Sequence, residues 1–160
     1  MKENNFEKRE EVKTETLTAE ELIDVIYKGE SLPQDKRFLS EKDGGVFHYF
    51  DPRDLQENKE NKFYSIVKAN EEIAGLGELE KNPFEKDERF WIKFLSVDPK
   101  HQGKGYASLL AREIFEFAKA RGFSLEGSAY SDSGYEKLKS VFNALSEETG
   151  VRFIDTERRI

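Results

Sequence analysis

The sequence predicts a mixed α/β sheet, mostly antiparallel, with helices flanking it. Three observations predict this class. Strand-like runs of apolar and β-branched residues recur through the first two thirds of the chain, and the pair at 63–69 and 73–80 is joined by a short turn, as antiparallel neighbours are. One long run, Phe90-Trp91-Ile92-Lys93-Phe94-Leu95-Ser96-Val97, is nearly continuously apolar, as in a strand lying mid-sheet. Beyond residue 100, helical patterns alternate with short strands, so a parallel strand–helix–strand unit closes a chain that began with antiparallel neighbours.

The elements follow in order. Residues 1–11 are mostly charge and Asn and read as a frayed end, with a single domain over residues 12–160. Val12-Lys13-Thr14-Glu15-Thr16 alternates as a strand. Thr18 with Glu21 has capping-box spacing, and Leu17 with Leu22 has that of a hydrophobic staple, so a helix starts there and stops at Gly29. Residues 31–45 look irregular, and Val46-Phe47-His48-Tyr49-Phe50 is a short strand. Residues 51–62 form a charged loop or short exposed helix. Residues 63–69 and 73–80 pair as antiparallel strands about a turn at Asn70-Glu71-Glu72. A polar connection over residues 81–88 leads to the long apolar strand, in which Lys93 alternates with Trp91 and Leu95. After Asp98-Pro99 comes a Gly-rich turn, then a helix with Ala107, Leu110, Ala111, Ile114 and Ala118 on one face and a stop at Gly122. Residues 123–130 form a strand. Ser133 with Glu136 is a second capping-box candidate, opening a helix with Leu138, Val141, Phe142 and Leu145 inward, and Gly150 ends it. Residues 151–155 form the last strand.

Composition narrows the chemistry. Leu, Ile, Val and Phe make up about a quarter of the 160 residues, enough for a packed core. The absence of Cys rules out disulfides, thiolate metal sites and a Cys nucleophile. With only two His, at 48 and 101, no metal site is expected. The net charge of -7 is a poor match for nucleic acid, so none is expected as a partner. No apolar run approaches the ~20 residues that span a bilayer. Without a signal-like N-terminus the expected location is cytoplasmic, as a monomer or homodimer, with no membrane partner.

The informative feature is Gln102-Gly103-Lys104-Gly105-Tyr106-Ala107, where a strand feeds a turn that opens a helix. A helix N-terminus presents unpaired N–H groups, and glycines let backbone approach an anion closely, so such a turn is a phosphate seat. Lys100 and Lys104 add cationic charge. The spacing does not fit a Walker A loop. As a dinucleotide fingerprint it is degraded, although Glu126 lies roughly where a ribose-binding acid would be sought.

This run matches the Gln/Arg-x-x-Gly-x-Gly/Ala signature and resembles that of the GNAT N-acetyltransferases. Phe94-Leu95-Ser96-Val97-Asp98-Pro99 resembles that family's central strand and exit turn, and Ala107-Ser108-Leu109-Leu110 the start of its next helix. The element order fits over roughly residues 10–160. The resemblance implies a sheet whose central strand splays from the next parallel strand, with acetyl-CoA as cosubstrate in the gap. The pyrophosphate would sit on the backbone amides of Gln102, Gly103, Lys104, Gly105, Tyr106 and Ala107. The pantetheine arm would run along Leu95, Ser96 and Val97, with Ser131 a partner by position. The implied reaction is direct acetyl transfer to the primary amine of a small molecule or peptide.

An amine of pKa about 10.4 costs roughly 4–5 kcal/mol to neutralise at pH 7, so a carboxylate base is useful. Glu78 and Glu80 alternate with Leu79 and share a face, which either lines the acceptor cleft or faces solvent. Asp132 is a third candidate. Tyr135 stands where the family often places a general acid, with packing an equal alternative. The family's usual Asn at the end of the flanking strand and its Tyr-x-x-x-Gly-Phe ending are missing. His48 reads as a surface or cleft-wall residue and His101 as a polar member of the turn. The alternative to an active enzyme is a non-catalytic acyl-CoA-binding or partner-binding module. An acetyltransferase toxin acting on charged tRNA fits the negative charge poorly.

Overall fold

A computed structural model describes residues 11–27, 57–127 and 132–155, with only the backbone for 100 and 132–136. The expected strand at 46–50, His48, the helix stop at Gly29, Tyr130 and Ser131 lie outside the described residues, as do the side chains of Asp132 and Tyr135.

Among the described residues, six strands form one sheet in sequence order: β1 (Val12–Leu17), β2 (Lys62–Ala69), β3 (Glu72–Lys81), β4 (Arg89–Val97), β5 (Ser124–Gly127) and β6 (Phe153–Ile154). β1 to β4 pair antiparallel, and β4, β5 and β6 pair parallel. The α-helices of the described residues flank the sheet: α1 (Ala19–Tyr27), α2 (Tyr106–Arg121) and α3 (Asp132–Thr149). The mixed sheet expected from the sequence is present.

Local chemistry accounts for the element ends. Thr18 N–H donates to Glu21 Oε1 at 2.8 Å and Glu21 N–H to Thr18 Oγ1 at 3.2 Å, so the capping box of α1 forms. Leu17 and Leu22 are both buried beside it. At the β2–β3 turn, Asn70 and Glu71 take positive φ, as a tight hairpin requires. Asn70 Oδ1 accepts from Glu11 N–H at 2.9 Å and ties the turn to the start of β1. α2 ends on Gly122 at φ 79°. Helix α3 already includes Asp132, so Ser133 lies inside its first turn and is not the N-cap expected from its spacing to Glu136.

The two faces of the sheet carry separate packing. On one, Leu79, Phe90, Ile92 and Leu125 meet Ala111, Ile114 and Phe115 of α2 and Phe142 and Leu145 of α3. On the other, α1 covers Tyr64, Ile66 and Leu76. Gly77 allows α2 to lie close: a Cβ there would stand 3.3 Å from Ile114 Cδ1 and 3.3 Å from Phe94 O. Arg112 of α2 hydrogen-bonds Glu148 of α3, and this bond holds the Glu148 carboxyl below the usual carboxylate range. The two helices that flank the site are thereby clasped together.

Two irregularities in β4 position the site. Glu78 pairs with Phe94 but Leu79 pairs with Ile92, so Lys93 is the extra residue of a β-bulge. The last β4–β5 pair among the described residues is Ile92 with Gly127, yet β4 continues to Val97. The half of β4 beyond Ile92 is only half-buried.

Candidate active site

The turn after β4 is built by short-range bonds. Asp98 N–H donates to Ala74 O at 2.8 Å, which ends the strand. His101 N–H to Asp98 O (2.8 Å) and Gln102 N–H to Pro99 O (3.2 Å) wind one tight turn. Gln102 Nε2 reaches back to Val97 O at 3.4 Å. Gly103 and Gly105 follow at φ 87° and 81°, in the left-handed region where a Cβ is costly.

Gly105 is the N-cap of α2 and offers no side chain to the helix amides, and the first turn holds no acidic residue. The first intrahelical bond is Leu109 N–H to Gly105 O at 3.2 Å, so the amides of residues 106–108 lie ahead of it at the positive end of the helix. Helix α1 is the contrast within the same molecule. Its N-terminus is closed by a capping box and carries Glu20 and Glu21. The charge that α1 supplies internally, α2 leaves to something else.

A pocket of about 490 Å³ opens at this end of α2. Leu95 and Val97 form one wall, and Gln102, Gly103, Gly105, Tyr106, Ala107 and Ser108 form the floor. Lys137 and Leu138 of α3 close the far side. The structure thus brings together seven of the residues the sequence assigned to the cosubstrate. Ser96 is opposite Leu76 on the α1 face, so its side chain points away from the pocket. Lys104 is exposed, with Nζ 3.5 Å from His101 Nδ1. His101 is more than a polar turn member. It lines the pocket at 7% exposure, packs its ring 5.7 Å from that of Tyr106, and has a buried Nε2 without a hydrogen-bond partner. No sequence spacing announces Lys137 and Leu138, because only the packing of α3 brings them to the turn.

The residues present fit an extended, phosphorylated chain such as that of CoA. Amides without a side-chain cap, with Lys104 near them, suit its phosphates, and the half-buried end of β4 offers backbone to an extended arm.

The opposite face of β3 and β4 carries the carboxylates. Glu78 is 7% exposed and pairs with Phe94, one residue from Leu95. Glu80 pairs with Trp91, so the two acids share a face as their alternation predicts. The alternation expected of Lys93 holds with Trp91 and fails with Leu95. Lys93 shares the Glu80 face with Trp91, its Nζ 3.7 Å from Glu80 Oε1 and 5.2 Å from the Trp91 ring centroid, and the bulge at Lys93 turns Leu95 to the opposite face, where it lines the pocket. At the hairpin joining β3 to β4, Phe84 is 83% exposed and its ring lies 6.4 Å from Trp91. Glu126 has a structural role here, accepting from Asn82 Nδ2 at 3.0 Å and lying 3.9 Å from Arg89, which anchors that hairpin.

Among the described residues, no helix is long and apolar enough to cross a membrane. The acetyltransferase (GNAT) family model matches residues 28–136. No curated protein matches the chain. Among solved structures, the tetramutant of the BH1408 protein from Bacillus halodurans is similar at 15% identity, with a TM-score of 0.52 over 84% of this chain and 92% of that one. The aminoglycoside N-acetyltransferase AAC(6')-Iy in complex with CoA is similar at 12% identity, with a TM-score of 0.51 over 96% of this chain and 94% of that one.

Proposed function

The chain belongs to the acetyltransferase (GNAT) family and is an N-acetyltransferase; from that premise we propose that it moves an acetyl group directly from acetyl-CoA to a primary amine of a small molecule or peptide. The observation that carries the reading is the 490 Å³ pocket, where the uncapped N-terminus of α2 meets the half-buried end of β4.

The phosphates of the cosubstrate are held by the amides at the start of α2, in the field of the helix dipole. Its pantetheine arm adds like a strand along Leu95, Ser96 and Val97, where backbone and not side chain does the binding. A β4 amide in this stretch donates to the carbonyl oxygen as the tetrahedral intermediate forms. The acceptor amine arrives from the α1 face of the sheet. Glu78 is the base, since its partner Phe94 lies just beyond the last β4–β5 pair at Ile92, whereas Glu80 lies two pairs behind Glu78 and is engaged by Lys93. Tyr135 gives its proton to the departing thiolate. The net step forms an N–C bond, breaks the C–S bond and leaves CoA with a thiol.

Calorimetric titration with CoA and with pantetheine tests the seat. CoA binds and pantetheine, which lacks the phosphates, binds far more weakly. Equal affinities would remove the α2 N-terminus from the account.

A further inference from the structure

We propose that Lys93 is a site of intramolecular acetylation, so that the enzyme modifies its own acceptor cleft. The inference rests on the reading of the pocket as an acetyl-CoA site.

Three observations converge. Lys93 lies with Trp91 on the face that carries Glu78 and Glu80, the face by which the acceptor amine is proposed to enter. Lys93 directly follows Ile92, the last residue of β4 paired with β5 among the described residues, so its backbone stands at the mouth of the splay while its amine rests over Trp91. Its Nζ stands 3.7 Å from the carboxylate of Glu80, a proton acceptor already in place. The Cα atoms of Lys93 and Leu95 are roughly 7 Å apart along the strand, within the span of a four-methylene stem. The side chain is 39% exposed, and an exposed ion pair with a cation–π contact over Trp91 is a weak restraint, so it can turn toward the thioester.

The step balances without another reactant. The ammonium passes one proton to Glu80 and on to solvent. The neutral Nζ attacks the thioester carbonyl, the N–C bond forms, the C–S bond breaks, and a second proton from nitrogen ends on the CoA sulfur. The product has no charge, so it can neither pair with Glu80 nor hold its place over Trp91 as a cation. Acetylation therefore frees the Glu80 carboxylate and puts a neutral amide where the acceptor docks, changing the charge of the cleft by one unit.

The test incubates the full chain with acetyl-CoA and no acceptor, follows intact mass, and maps the label by peptide mass spectrometry. One acetyl group per chain is expected, on Lys93, at a rate per molecule that does not change on dilution. Excess CoA suppresses it, Glu80→Gln slows it, and Lys93→Arg abolishes it. Simple chemical acetylation would follow exposure and favour Lys13, whose side chain is 63% exposed. Label spread over such lysines, label persisting under excess CoA, or a rate that falls with dilution overturns the proposal. Mapping on the parent chain decides the matter even where a variant folds poorly. Calorimetry on the same sample separates the two readings. CoA binding without label at Lys93 sinks the automodification alone, and no CoA binding sinks both.

Discussion

Two glycines at opposite ends of α2 offer a matched pair. Gly105 at the N-terminus has φ 81°, and Gly122 at the C-terminus has φ 79°. A Cβ at either position would meet no protein atom within 4 Å. A substitution at either site therefore costs the fold little more than conformational strain, about 1–3 kcal/mol each. For a chain of this length that lowers the melting temperature by roughly 2–12 °C. Gly105→Val and Gly122→Val should thus melt alike in circular dichroism. They should bind differently, because only at Gly105 does the new side chain enter the space claimed for the phosphates. More than about a tenfold loss of CoA affinity, about 1.4 kcal/mol, is expected for Gly105→Val in calorimetry, and little change for Gly122→Val. Equal affinities in the two variants, or normal CoA binding by folded Gly105→Val, would refute the reasoning.

Three other outcomes follow from the same structure. Glu78→Gln should lower kcat about 10²–10⁴-fold with CoA affinity retained, and raising the pH should partly restore the rate by supplying neutral amine; an unchanged pH–rate profile would place the base elsewhere. Tyr135→Phe should lower turnover by about one to two orders of magnitude with the melting temperature nearly unmoved, and full turnover would make Tyr135 a packing residue. Thr18→Ala removes one bond of the α1 capping box and should cost about 0.5–2 kcal/mol in denaturant unfolding without altering CoA binding.

The Gly-rich turn that opens α2 was legible in the sequence because its determinants are local. Glycines with positive φ, a strand before them and a helical period after them all fall within a dozen residues. The same holds for Thr18 and Glu21, whose reciprocal bonds depend only on their spacing. Leu95 was set on the face of Trp91 and Lys93, and wrongly, because a bulge is a mismatch between two strands. Alternation along one strand cannot reveal that Glu78 and Leu79 skip a residue on β4. His101 looked bland because burial against Tyr106 and a place on the pocket wall are products of the folded turn. Lys137 and Leu138 escaped for a similar reason: α3 reaches the turn only through its packing on α2, clasped by Arg112 and Glu148. Glu126 lies at a spacing that invites a ribose, yet its carboxylate is taken by Asn82 and Arg89, about 40 residues away in the chain.

The central claim is acetyl transfer from acetyl-CoA to an amine, and its most direct test couples thiol release to product mass. The protein is incubated with acetyl-CoA and a panel of polyamines, aminoglycosides, amino acids and peptides. Free CoA thiol is followed by colour, and the amines by mass spectrometry. The account predicts that at least one amine raises thiol release above the acceptor-free rate and gains one acetyl group for each thiol, and that Gly105→Val loses both signals together. CoA binding at the pocket with no amine-dependent thiol and no acetylated amine would contradict it.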